Sequence, residues 1–187
     1  MKTRVIAMLA LAGAGAWAGG DHPEHTVLVC TTMHHDFTVE KAEIIAIAIF
    51  DRIGVQLEWH ANRTCPAEAI RISFSDRAPS HLAPAALAYA FPYEASHIEV
   101  FTDRLGQHPA ALQPVLLGHV MAHEITHILQ GTAWHSPSGI MMARWTRHEI
   151  DQMAIEPLGF TDFDVRLIRR GLEARESRQI AARSALP

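Results

Sequence analysis

The sequence predicts an α+β domain in which a sheet is backed by helices. Three observations lead there. Short segments of strand-like character recur between residues 26 and 101. A single stretch of helical periodicity interrupts them, over residues 39–54. Beyond residue 109 every periodic segment repeats as a helix does, so the order is strand, helix, several strands, long helix, loop, helix.

The first element, TVLVC over residues 26–30, is a continuous apolar run suited to a buried strand. VEKAEIIAIAIFDRIG follows, with Ile44, Ile45, Ala48, Ile49 and Ile53 at helical spacing and Gly54 placed to stop the helix. VQLEW (55–59) and AIRISFS (69–75) alternate apolar and polar residues as half-buried strands do. ALAYAF (86–91), closed by Pro92, and HIEVF (97–101) add two more strands. A helix is expected from about Pro109 to Gln130, regular from Pro114 and stopped by Gly131. HSPSGIMMARW is turn-rich, and RHEIDQMA has the length of a short helix. Thr161 and Asp164 approach a capping box before a C-terminal helix that is expected to fray after Arg178.

A chain of 187 residues, 49% hydrophobic and 19% charged, fits one packed domain. The formal net charge is -4, and basic residues form no block before the C-terminal helix, which argues against nucleic acid as a partner. Residues 1–18 read as a signal peptide: Lys2 and Arg4 precede a short apolar run, and Ala16 and Ala18 form an A-x-A cleavage site. The expected mature unit is therefore a single catalytic domain over 19–187, secreted or periplasmic and monomeric, with no membrane span. In an oxidising compartment the only two cysteines, Cys30 and Cys65, are expected to pair, with two separately buried thiols as the alternative.

The chemistry concentrates in HEITHILQGTAWH, residues 123–135. His123 and His127 stand one turn apart on one helix face, a spacing that brings two imidazoles to one zinc ion. Glu124 beside them completes H-E-x-x-H, in which the glutamate is general base toward water. The chain has 13 histidines, so coincidence must be weighed. Against it, the flanking residues Val120, Met121, Ala122, Ile125, Ile128 and Leu129 are apolar or small, and a buried helix does not carry unpartnered polar groups cheaply. A catalytic zinc takes three protein ligands and keeps one position open. Gly131 lets the chain turn, and His135 is the expected third ligand; Glu149 is its rival and His148 a weaker one. Most of the histidines outside the motif, a group that includes His119, are expected to be solvated.

H-E-x-x-H followed by a glycine, a histidine and a methionine-bearing turn resembles the metzincin clan of zinc endopeptidases. The segments IRISFS, LAYAFPY and HIEVFTD resemble the sheet segments before the active-site helix of matrix metalloproteinases, and FTDFDVRLIRRGL is similar to their closing helix. The resemblance spans residues 70–172. It implies a zincin-like fold: a twisted mixed sheet backed by helices, an active-site helix and a small C-terminal helical subdomain. It further implies one catalytic Zn2+, Met141 in the turn beneath the metal, and Leu87 and Ala88 on an edge strand that receives an extended protein or peptide substrate. The spacing departs from the clan, with one extra residue before the glycine and one after, and no tyrosine follows the methionine turn. The expected activity is a secreted zinc endopeptidase with Glu124 as general base. A non-catalytic zinc-binding domain, and a zinc hydrolase of non-peptide amides, remain as alternatives.

Overall fold

A computed structural model describes residues 25–32, 36–61, 65–91 and 96–184. The expected signal peptide (1–18) and the His34–His35 pair lie outside them. β1 (His25–Thr31) leads through helix α1 (Phe37–Asp51) to β2 (Val55–Ala61). β3 (Ile70–Ser75), β4 (Ala88–Ala90) and β5 (His97–Phe101) follow. α2 (Thr102–Leu105), α3 (Gln113–Gln130), α4 (Arg147–Met153) and α5 (Asp162–Ser184) complete the chain. The sheet runs in the order β2-β1-β3-β5-β4. β1 pairs in parallel with β2 and β3, β3 pairs in parallel with β5, and β4 closes one edge antiparallel to β5. This is the mixed sheet backed by helices that the element order predicts. No helix among the described residues is long and apolar enough to cross a membrane.

α1 begins where Asp36 accepts the amides of Thr38 and Val39, which satisfies two of the free donors of its first turn. Its buried face differs from the predicted one. Val39, Ala42, Glu43, Ala46, Ile49 and Phe50 point inward, whereas Ile44 is 64% exposed. α3 approaches closely there: a Cβ on Gly118 would stand 2.7 Å from the Ile45 Cβ and 2.8 Å from the Ala42 carbonyl oxygen, so Ala42 and Ile45 line the crossing while Ile44 stays outside it. Buried Glu43 takes a hydrogen bond from the Thr31 hydroxyl at 3.2 Å.

α3 is buried on every side from Leu116 to Leu129, as a helix enclosed by sheet and helices must be. α5 runs unbroken to Ser184 instead of fraying after Arg178, and it touches α3 backbone to backbone at Gly171. Cys30 and Cys65 form a disulfide with a Cα–Cα distance of 5.8 Å, tying the centre of the sheet to the segment that follows β2.

A Cβ on Gly171 would overlap the Leu129 carbonyl oxygen. Gly171→Ala must therefore push α5 off α3, and overpacking of this kind costs about 1–3 kcal/mol. The expected outcome is a Tm lowered by several degrees in thermal denaturation, while the same change at exposed Gly159, where no neighbour stands within 4 Å, stays near neutral.

Candidate active site

α3 ends at Gly131, whose backbone is left-handed (φ 64°) and whose N–H bonds the His127 carbonyl at 2.9 Å. The chain turns there and returns His135 to the face that carries His123 and His127. The three ring nitrogens of these residues all lie within 4.8 Å of one another. With two extra residues around the glycine, the chain still brings His135 back to the other two histidines.

The protonation of two rings follows from their partners. His123 Nδ1 lies 2.8 Å from the Ile140 carbonyl, and His127 Nδ1 lies 2.9 Å from the Thr132 carbonyl. A carbonyl only accepts, so each Nδ1 carries the proton. Both Nε2 atoms are then bare lone pairs. Yet His127 Nε2 stands 3.0 Å from His123 Nε2 and 3.3 Å from His135 Nε2. Between the two bare nitrogens there is no proton to share. Burial, aided by the neighbouring His127, holds His123 down to about 3, against the pull of its bond to Ile140. Burial holds His127 to about 4 and lowers His135 as well. Neutral imidazoles with converging lone pairs suit a cation of the zinc type, and the carbonyls on Nδ1 orient the rings as supports behind metal-binding histidines do.

Glu124 is buried at the floor of an open cleft of about 850 Å³, which the three histidines also line. Burial pushes its carboxyl up to about 8, opposed by a backbone hydrogen bond from Ala90 on β4. Leu87 and Ala88 line the same cleft but differ in their main chains. The Leu87 carbonyl accepts the Phe101 amide at 2.8 Å, and Phe91 donates to His97 at 2.9 Å. Antiparallel alternation then turns the amide and carbonyl of Ala88 away from β5, toward the free edge. On the far wall, residues 136–142 form a tight turn: Ser136 N–H bonds the Met141 carbonyl at 2.8 Å, and Gly139 is left-handed at φ 75°. Met141 is fully buried in this turn, and Met142 faces the cleft. The Ile140 carbonyl that orients His123 also accepts Trp145 Nε1–H at 3.2 Å.

Two solved structures share this arrangement of elements. Archaemetzincin from Methanopyrus kandleri matches with a TM-score of 0.53 at 14% identity, over 83% of this chain and 98% of its own. Archaemetzincin from Archaeoglobus fulgidus, complexed with malonate, matches at 0.52 and 13%, over 76% and 99%. The fold is archaemetzincin-like. No family model matches the sequence, and no curated protein matches it either.

Within this archaemetzincin-like fold the remaining site candidates fall away from the histidines. Glu149 is occupied as a helix cap: its Oε2 accepts the Thr146 amide at 2.7 Å in a capping box, outside the three-histidine group. His148 is exposed on the same helix. His119 is not solvated, contrary to expectation. It is fully buried, donates Nδ1–H to Val115 at 2.7 Å and accepts the Leu158 amide on Nε2 at 3.1 Å. Asp164 does more than cap α5. Its Oδ1 accepts the Ser136 hydroxyl at 2.6 Å, and its Oδ2 accepts the Thr161 amide at 3.0 Å, all out of solvent. It thereby anchors the residue that follows His135. The T-x-x-D pattern marks the cap, but nothing local in the sequence marks a partner 28 residues away.

Asp164→Ala would leave the Ser136 hydroxyl and the Thr161 amide without their acceptor, which costs about 2–3 kcal/mol; a lowered urea midpoint checks this. His119 yields a pH prediction. Burial, partly offset by the Val115 bond and reinforced by Arg52, holds it below its ordinary 6.5. The unfolded chain therefore binds a proton near pH 6.5 that the folded chain refuses. This contribution to stability is complete above pH 6.5 and is lost as pH falls below it. Urea midpoints at pH 7 and pH 5 should differ less in His119→Gln than in the unsubstituted protein.

Proposed function

We propose that the protein is a zinc-dependent peptidase in which His123, His127 and His135 hold one zinc ion and Glu124 is the general base. The observation that carries the reading is the convergence of bare imidazole nitrogens beside a buried carboxyl at the floor of an open cleft. A zinc ion held there supplies Lewis acidity and lowers the pKa of water toward 7. Glu124 draws the proton from the attacking water onto its carboxylate and delivers it to the leaving amine nitrogen. Its burial keeps bulk water from that proton, and the Ala90 amide orients the carboxylate. A cation held by the three neutral imidazoles would oppose the upward pull of burial on Glu124, so the carboxyl could serve as a base near neutral pH.

The substrate lies extended along β4. Ala88 offers it a free amide and carbonyl, and Leu87 contributes its side of the cleft wall. Met141, packed inside the turn that orients His123, serves as a fixed base beneath the metal. Residues 1–18 act as an export signal, and the mature chain works as a monomer on proteins or peptides in the periplasm or outside the cell. The disulfide supports that placement, since such bonds persist in oxidising compartments.

Cleavage of an unfolded protein by the zinc-loaded chain tests the reading. Glu124→Gln should keep its zinc, by metal analysis, and lose about 10²–10⁴-fold in rate, the range of general-base catalysis. His135→Ala should lose zinc sharply at equal protein concentration. Chelation should abolish cleavage, and added zinc should restore it. A Glu124→Gln variant that cleaves at the original rate would remove that residue from the mechanism.

A further inference from the structure

The cleft carries the opposite sign of charge from the chain around it. The protein has a formal net charge of -4, yet the only carboxylate lining the cleft among the described residues is Glu124, at its floor. Two arginines line the walls, Arg104 and Arg144. They are not equivalent. Arg104 donates to the Ala83 carbonyl at 2.7 Å and also to the Ala86 carbonyl, so its guanidinium braces the rim segment before β4. Arg144 is exposed and has no hydrogen-bond or ion-pair partner among the described residues.

Arg144 lines the same cleft as Glu124 and the three histidines. It precedes Trp145, whose ring centroid lies 5.6 Å from that of His123 and whose Nε1–H is fixed to the Ile140 carbonyl. The cleft lining also includes the apolar Met142, Trp145, Val120 and Leu116. A cleft lined by apolar side chains and by a guanidinium with no partner among the described residues fits a side chain with a short hydrocarbon stem and a carboxylate head, which the planar fork can take by two parallel bonds.

We propose that Arg144 is a specificity-determining residue that selects peptides with an aspartate or glutamate close to the scissile bond. The proposal rests on the peptidase reading above. The test uses the zinc-loaded protein and a fluorogenic peptide set in which one position near the cleaved bond is Glu, Gln or Lys. The Glu peptide should exceed the Gln peptide about tenfold in kcat/KM, the order a charge-assisted hydrogen bond supplies. The ratio should shrink at high salt, because the contact is exposed. Arg144→Ala should bring the ratio to about one, and Arg144→Glu should shift preference to the Lys peptide. Cleavage of Glu and Gln peptides at equal rates, or a ratio unchanged in Arg144→Ala, overturns the proposal and leaves the peptidase reading standing. If no peptide is cleaved, the peptidase reading fails, and calorimetric binding of the same peptides decides the recognition. Tighter binding of the Glu peptide, lost in Arg144→Ala, supports it; equal binding rejects it.

Discussion

Two main-chain carbonyls fix the state of the site. The Ile140 and Thr132 oxygens each take an Nδ1 proton, and so determine which nitrogen of His123 and His127 is left bare. Everything else serves to hold those oxygens in place. The Thr132 carbonyl is where it is because Gly131 turns the chain at the end of α3. The Ile140 carbonyl is held by a turn whose amide bonds Gly159 at 2.9 Å, whose Gly139 lies too close to the Gly159 oxygen for a side chain, and whose Ser136 is tied to Asp164. These two imidazoles are therefore set from behind, by backbone geometry, which leaves their converging nitrogens facing the cleft.

The order and type of the main elements could be read from the sequence, because each relies on a short-range rule. The strands alternate, α3 has proline at its start and glycine at its end, and α5 has a T-x-x-D start. What could not be read depends on distant neighbours. α2 is four residues long and carries no periodicity. The buried face of α1 follows the close approach of α3 at Gly118, which takes in Ala42 and Ile45 and leaves Ile44 exposed. His119 looks like any other histidine until Val115 and Leu158 are seen to satisfy both of its nitrogens.

The same division holds at the site. The grouping of His123, His127 and His135 follows from i, i+4 spacing and a glycine that frees the chain, so local reasoning reaches it. The role of Glu149 as a cap and not a neighbour of the histidines follows from Thr146 three residues earlier, a pattern present in the sequence but outweighed by the attraction of a carboxylate near a metal motif. The supporting carbonyls have no signature at all, since every residue has one. Nor does the parity of β4, which decides that Ala88 and not Leu87 turns its main chain to the open edge; that depends on the register with β5.

The glycine contacts of α3 bear on how the molecule opens. At Gly118 this helix meets the Ala42 carbonyl and the stiff, β-branched Ile45 side chain of α1, and its own Leu129 carbonyl meets Gly171 of α5, so neither contact has a long flexible side chain to absorb a shift. A helix wedged in that way cannot slide or tilt without separating from α1 and α5 together. Its amide hydrogens are then released to solvent only when the whole domain unfolds, whereas the largely exposed Thr132–Trp134 segment exchanges through small local openings. Two of the three imidazoles thus ride on the slowest-exchanging part of the molecule, and the third on one of the faster.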